Sequence, residues 1–224
     1  MSRYERNFPA FSVADFEIIQ ETSVCVVGCG GLGGYIIEML SRVGIGSLTL
    51  IDGDVFDESN QNRQLLSTEK NLGLSKAKAA ADRVELINKN VKTHHAHSFL
   101  QEENGLSLIG DCQIVMDALD NVPSRLVLQK LCREKKIPLI HGAIGGWFAQ
   151  VTTVFPGDDT LSRIYCRDRE YNSKCQGNPS FTPALAASLQ VSECLKVITK
   201  KEDILRNKLL YIDLLSNEFF TFNV

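Results

Sequence analysis

No two cysteines in this sequence stand at CxxC spacing, although it contains seven. Paired CxxC motifs build most structural zinc sites, so no structural zinc is expected. Around Cys166 the positions three residues to either side are Arg163 and Arg169, not metal ligands. The odd cysteine count also argues against a secreted disulfide framework. Cys25, Cys29, Cys112 and Cys194 fall in apolar segments, where a thiol acts as a small buried hydrophobe. There is no apolar run of about 18 residues, so no helix is expected to span a bilayer. The opening stretch MSRYERNFPAF lacks the apolar core of a signal peptide, and a cytoplasmic protein is expected. Charge of one sign is lacking too: 24 basic residues face 27 acidic ones, which makes nucleic acid an unexpected partner.

What is present suffices for a single core: 224 residues, 44% of them hydrophobic. Short apolar runs alternate with helical patterns. Residues 23–29, SVCVVGC, read as a strand buried on both faces, and 31–44 carry apolar residues at helical spacing. Strands follow at 47–52, 91–99, 112–119 and 137–143, with helices at 75–90, entered at Ser75, and at 124–136. This repetition predicts an α/β fold: a doubly wound, mostly parallel Rossmann-like sheet. Beyond Gly146 the pattern turns antiparallel, with a strand at 148–156 and a terminal hairpin around Ser216 and Asn217. A helix at 182–201 with Pro183 in its first turn lies between them. The expectation is one domain over 1–224, with residues 1–20 as an N-terminal arm and 157–181 as a mobile crossover loop.

Gly28, Gly30 and Gly33 match G-x-G-x-x-G between a strand and a helix, the context that pattern needs to hold phosphates at a helix N-terminus. Asp52 ends the next strand, where a carboxylate can accept from ribose hydroxyls. A dinucleotide would account for these features. It would not account for Asn60, Gln61, Asn62, Arg63 and Gln64 clustered past a strand end, or for Lys76 at a helix start. Two cations beside a glycine loop suit a triphosphate whose charge must be offset during reaction. Asp117 and Asp120 end the fourth strand, and carboxylates beside phosphates form the usual magnesium environment. His94, His95 and His97 lie on a polar strand and read as solvated.

Taken together, RYERN, GCGGLGG, DGD, SNQNRQ, GLSK, DALDN and HGAIGGWFAQV, in this order and over nearly the whole chain, resemble the ThiF/MoeB/HesA family, the bacterial relatives of ubiquitin-activating enzymes. The resemblance implies an ATP- and magnesium-dependent adenylyltransferase. Its substrate would be the C-terminal glycine carboxylate of a small ubiquitin-like sulfur carrier ending in Gly-Gly, of thiamin or molybdopterin type. By position, it implies that Gly31 approaches the phosphates, that Asp52 holds the ribose, and that Asn60, Arg63 and Lys76 contact the triphosphate. Asp120 would hold magnesium, and Asp54, Ser59 and Asn121 belong to the same nucleotide-binding motifs. Arg6 matches an arginine that family members insert into a neighbouring subunit's site, which implies a homodimer.

Cys175 resembles a loop cysteine used for sulfur transfer or covalent carrier linkage, with Lys174 beside it to favour thiolate. A sulfur-donor protein would then be a further partner, although an incidental loop cysteine is equally compatible. The family's two CxxC zinc pairs are absent, so the crossover near Cys166 and the end of the chain should be organised differently. Three alternatives stay open: a member activating another carboxylate, as tRNA-modifying cyclases or peptide-adenylating enzymes do, an NAD-dependent oxidoreductase, and a catalytically silent partner.

Overall fold

The computed structural model describes residues 2–165 and 177–224. Its strands are β1 (Ser23–Val27), β2 (Ser47–Ile51), β3 (Lys92–Ala96), β4 (Ile114–Asp117), β5 (Leu139–Gly145), β6 (Phe148–Val154), β7 (Lys208–Asp213) and β8 (Glu218–Asn223). They form one sheet in the order β3-β2-β1-β4-β5-β6-β7-β8. Pairing is parallel from β3 across to β5 and antiparallel from β5 to β8, as the sequence pattern predicts. β1 lies at the centre of the parallel part, with Cys25 opposite Thr49 on one side and Val115 on the other. That position explains its unbroken apolar run: Val24 to Val27 are buried on both faces.

The helices are α1 (Val13–Glu21), α2 (Gly31–Val43), α3 (Lys76–Ile87), α4 (Glu102–Ile109), α5 (Val122–Lys135), α6 (Thr160–Ile164) and α7 (Phe181–Ile198). Ile36 and Ile37 of α2, Val84 of α3 and Ala187 of α7 share one core on one face of the sheet. Ile109 of α4, Leu128 of α5 and Leu161 of α6 close the other. Chain direction reverses its lateral progress between β1 and β4, so a crevice opens there at the carboxyl ends of the strands. β1 is held at that edge by Gly28 N donating to Ile51 O (2.8 Å) and Ala118 N donating to Val27 O (2.9 Å).

The N-terminal arm is a docked element: a 3-10 turn over Ser2–Asn7 leads into α1, which Ser12 and Asp15 start as a reciprocal capping box. Tyr4 packs its ring 4.9 Å from that of Phe16, and Phe16 and Ile19 face the core, which is why the segment does not hang free. The segment 157–181, expected as a crossover loop, is described only in part, since residues 166–176 lie outside the described residues. It contains α6, whose Leu161 is fully buried, and α7 begins at Phe181. α4 had no counterpart in the sequence reading, since its eight residues give too short an amphipathic pattern to separate from a polar loop.

Candidate active site

Where β1 ends, the chain must turn sharply into α2. Gly28 adopts φ +98°, and a Cβ there would lie 2.5 Å from Ala118 O. A Cβ on Gly33 would lie 1.8 Å from Gly28 O, so this glycine lets the helix sit against the loop that leads into it. Gly30 and Gly31 serve another purpose. The nearest atoms to their added Cβ atoms would be Gln64 at 3.4 Å and Pro183 at 3.7 Å, and both glycines line an open cleft. No side chain caps α2, so the first-turn N–H groups are left for another acceptor.

The cleft has a volume of about 480 Å³ and lies over the β1–β4 crevice. Asp52, Asp54, Arg63, Lys76, Asp120 and Asn121 line it with Gly28, Gly30 and Gly31. Asp52 is locked from both sides: Oδ2 accepts from Cys29 N (2.7 Å) and Oδ1 from Asp54 N (2.8 Å). Burial raises its pKa above the usual carboxylate value, opposed by those two N–H groups and by Lys76. Each oxygen keeps a second lone pair for an incoming hydroxyl.

Lys76 is the first residue of α3 and only 7% exposed, with its Nζ 3.1 Å from Asp54 Oδ2. A cation in a helix's first turn opposes the helix dipole, so Lys76 is not there to stabilise α3. Ser75 does that by accepting from Lys78 N. Arg63 Nη1 donates to Ser59 O and to Asn62 Oδ1, both at 2.9 Å. Asp120 is exposed in the cleft, where its side chain accepts from the Asn121 amide (3.2 Å). Such a carboxylate, with lone pairs left over beside cationic groups, fits a hydrated magnesium ion.

The structure thus gathers nine of the predicted residues and places four others outside the cleft lining. Gly33 lies under the loop. Ser59 and Asn60 shape the turn before Arg63: Asp57 Oδ1 accepts from Ser59 N, and Asn60 Oδ1 accepts from Asp57 N. Arg6 is on the 3-10 turn, near where Asn7 bonds Val43 O at the far end of α2, about 20 Å from the cleft by helix rise. Cys175 lies outside the described residues. Asp117, expected beside Asp120 at a magnesium site, is fully buried and engaged by His141 and by Leu119 N, so it does not face the cleft. Arg125, 5% exposed, and Phe99, 62% exposed, also line the cleft, although no motif in the sequence marked them. The Phe99 ring packs over Gly53, where an added Cβ would lie 2.6 Å from it. Neither sits in a recognisable motif; an arginine on the apolar stripe of α5 was the one signal available.

The sequence profile described as the ThiF family matches residues 3–224. The SAMP-activating enzyme E1 of Haloferax volcanii is 31% identical over 88% of this chain and 75% of its own length. The adenylyltransferase and sulfurtransferase MOCS3-1 of Zea mays is 32% identical over 96% of this chain, which spans only 47% of that protein. Among solved structures, E. coli MccB with ATP superposes with a TM-score of 0.85 over 100% of this chain and 71% of its own, at 21% identity, a likeness of fold.

Proposed function

This chain belongs to the ThiF family, and on that basis we propose that it is an adenylyltransferase that uses ATP to activate the C-terminal carboxylate of a small ubiquitin-like carrier. The observation that carries the reading is the cleft itself: a glycine loop with uncapped helix amides, a doubly anchored Asp52, and Lys76 and Arg63 converging on one 480 Å³ space. That pair of cations suits the larger charge of a triphosphate better than the pyrophosphate of a dinucleotide.

In this reading Asp52 accepts from the ribose hydroxyls and the exposed face of Phe99 receives the base. Lys76, Arg63 and the α2 amides hold the phosphates. Asp120 would hold magnesium, whose charge offsets that of the triphosphate. A carboxylate is ionised near neutral pH, so its attack on the α-phosphate needs no general base. The residues have two tasks: to align two anions and to stabilise charge growing on the phosphoryl oxygens as pyrophosphate leaves. The exposed Phe219, Phe220 and Phe222 on β8 give an apolar surface suited to a protein partner. Arg6 cannot reach its own cleft, which supports a homodimer in which it completes the partner's site. A sulfur donor and a role for Cys175 would follow adenylation.

The test is ATP–pyrophosphate exchange with a candidate carrier ending in Gly-Gly. Exchange should appear with that carrier and vanish when its terminal glycine is removed. Binding of ATP without exchange, across carriers and other carboxylates, would sink the reading, as would NAD outcompeting ATP.

A further inference from the structure

Behind the cleft, a set of buried polar groups closes on itself. Asp117 Oδ1 accepts from Leu119 N (3.0 Å), and Asp117 Oδ2 lies 2.7 Å from His141 Nδ1. His141 Nε2 lies 3.0 Å from Tyr165 Oη, which accepts from Arg125 Nη1 (3.0 Å) and Gln150 Nε2 (2.7 Å). Arg125 Nη2 then donates to Leu119 O (2.8 Å) and completes the circuit. Asp117 and His141 are fully buried, and Arg125 is 5% exposed.

The proton on each bond follows from the chemistry of the groups. A guanidinium and a carboxamide nitrogen only donate, so both lone pairs of the Tyr165 hydroxyl are taken. Its one hydrogen must go to His141 Nε2. That nitrogen is therefore an acceptor, and Nδ1 carries the hydrogen given to Asp117. His141 is neutral, which agrees with burial lowering its pKa below the usual histidine value against the pull of Asp117. Burial likewise raises the Tyr165 phenol to about 12, so it stays protonated. A buried network in which each bond has one donor and one acceptor is rigid.

What the ring holds is Leu119, by its N–H on one side and its carbonyl on the other. The next residue is Asp120, whose side chain has, among the described residues, the Asn121 amide alone to orient it. We propose that the Asp117–His141–Tyr165–Arg125 ring is a positioning device that sets Asp120 in the cleft by clamping both backbone groups of Leu119. None of the four is a catalytic residue in this role; each acts through Asp120. The inference rests on the reading of Asp120 as the carboxylate that meets magnesium and the phosphates. Tyr165 spans three elements, bonding α5, β5 and β6 at once, which is why removal of its single hydroxyl opens the circuit.

The experiment measures ATP binding by calorimetry, with and without magnesium, in the native protein, Tyr165→Phe and Arg125→Lys, alongside thermal unfolding. Arg125→Lys keeps the charge but cannot bridge Leu119 O and Tyr165 Oη together, so it separates charge from bridging. Magnesium should tighten ATP binding to the native protein, and each variant should lose about tenfold or more of that enhancement, as supporting partners of metal-binding groups do. Binding without magnesium should change little in Tyr165→Phe, whose side chain lies outside the cleft lining. If a folded variant keeps the native enhancement while only its unfolding temperature falls, the ring is merely structural and the proposal is overturned. If the native protein does not bind ATP at all, the failure belongs to the functional reading instead.

Discussion

Lys76 shows how a single residue departs from what its local structure wants. Its ammonium is nearly buried in the first turn of α3, against the helix dipole, with Asp54 as its ion-pair partner. An unfavourable placement of this kind is retained where the charge has work to do. Lys76→Ala should fold normally and lose about a hundredfold or more of pyrophosphate exchange, the scale at which preorganised charge acts on a phosphoryl transition state. His141 makes a different prediction. Burial depresses its folded pKa below about 6.5, the unfolded value. As pH falls through that value the unfolded chain takes up a proton that the native protein excludes. The stability present above about pH 6.5 is therefore lost towards the folded pKa, by at most about 1.4 kcal/mol per pH unit. Urea unfolding between pH 8 and 5.5 should show this slope, and His141→Asn should flatten it.

At the scale of elements, the junction of β1 and α2 assigns different work to neighbouring glycines. Gly33 permits contact between helix and loop, so Gly33→Ala must push α2 away from Gly28 O. The expected cost is about 1–3 kcal/mol with loss of ATP binding, the usual penalty for overpacking. Gly31 has room for a methyl group. Gly31→Ala should keep the native unfolding temperature yet weaken ATP binding, because its methyl enters the cleft. Thermal unfolding and ATP titration of the two variants distinguish packing from access; equal behaviour would show that the division drawn between them is wrong.

Across the whole molecule, α2 puts its two ends to separate uses. Its N-terminus faces the cleft, and its C-terminus, at Gly44, receives the Tyr4 ring of the N-terminal turn. Arg6 therefore belongs to the opposite edge of its own subunit. If it acts across a dimer, Arg6→Ala and Lys76→Ala proteins should each be inactive alone. Mixed at equal concentration after subunit exchange, they should recover about a quarter of native activity, since half the dimers then hold one intact composite site. No recovery, with exchange verified by mass, would remove Arg6 from the site. Among the described residues no helix is long and apolar enough to cross a membrane.

The pattern of residue types alone determined the sheet's class, its antiparallel extension and most of the cleft. The reason is that periodicity, caps and the glycine loop are local: Ser75, Gly28 and the apolar run of β1 do their work through neighbours in the chain. Distance in the chain hid the rest. Tyr4 and Phe16 turn a presumed arm into a packed element only because Gly44 and α1 meet in space. Asp117 and Asp120 look alike as strand-end acids, yet His141, 24 residues on, claims the first and leaves the second to the cleft. Arg125 and Tyr165 are 40 residues apart and carry no motif. Strand order set β5 beside β4 and so His141 beside Asp117, and α5 and the end of α6 brought Arg125 and Tyr165 to close the ring behind Leu119. Burial decided which of these polar groups face a ligand and which face one another.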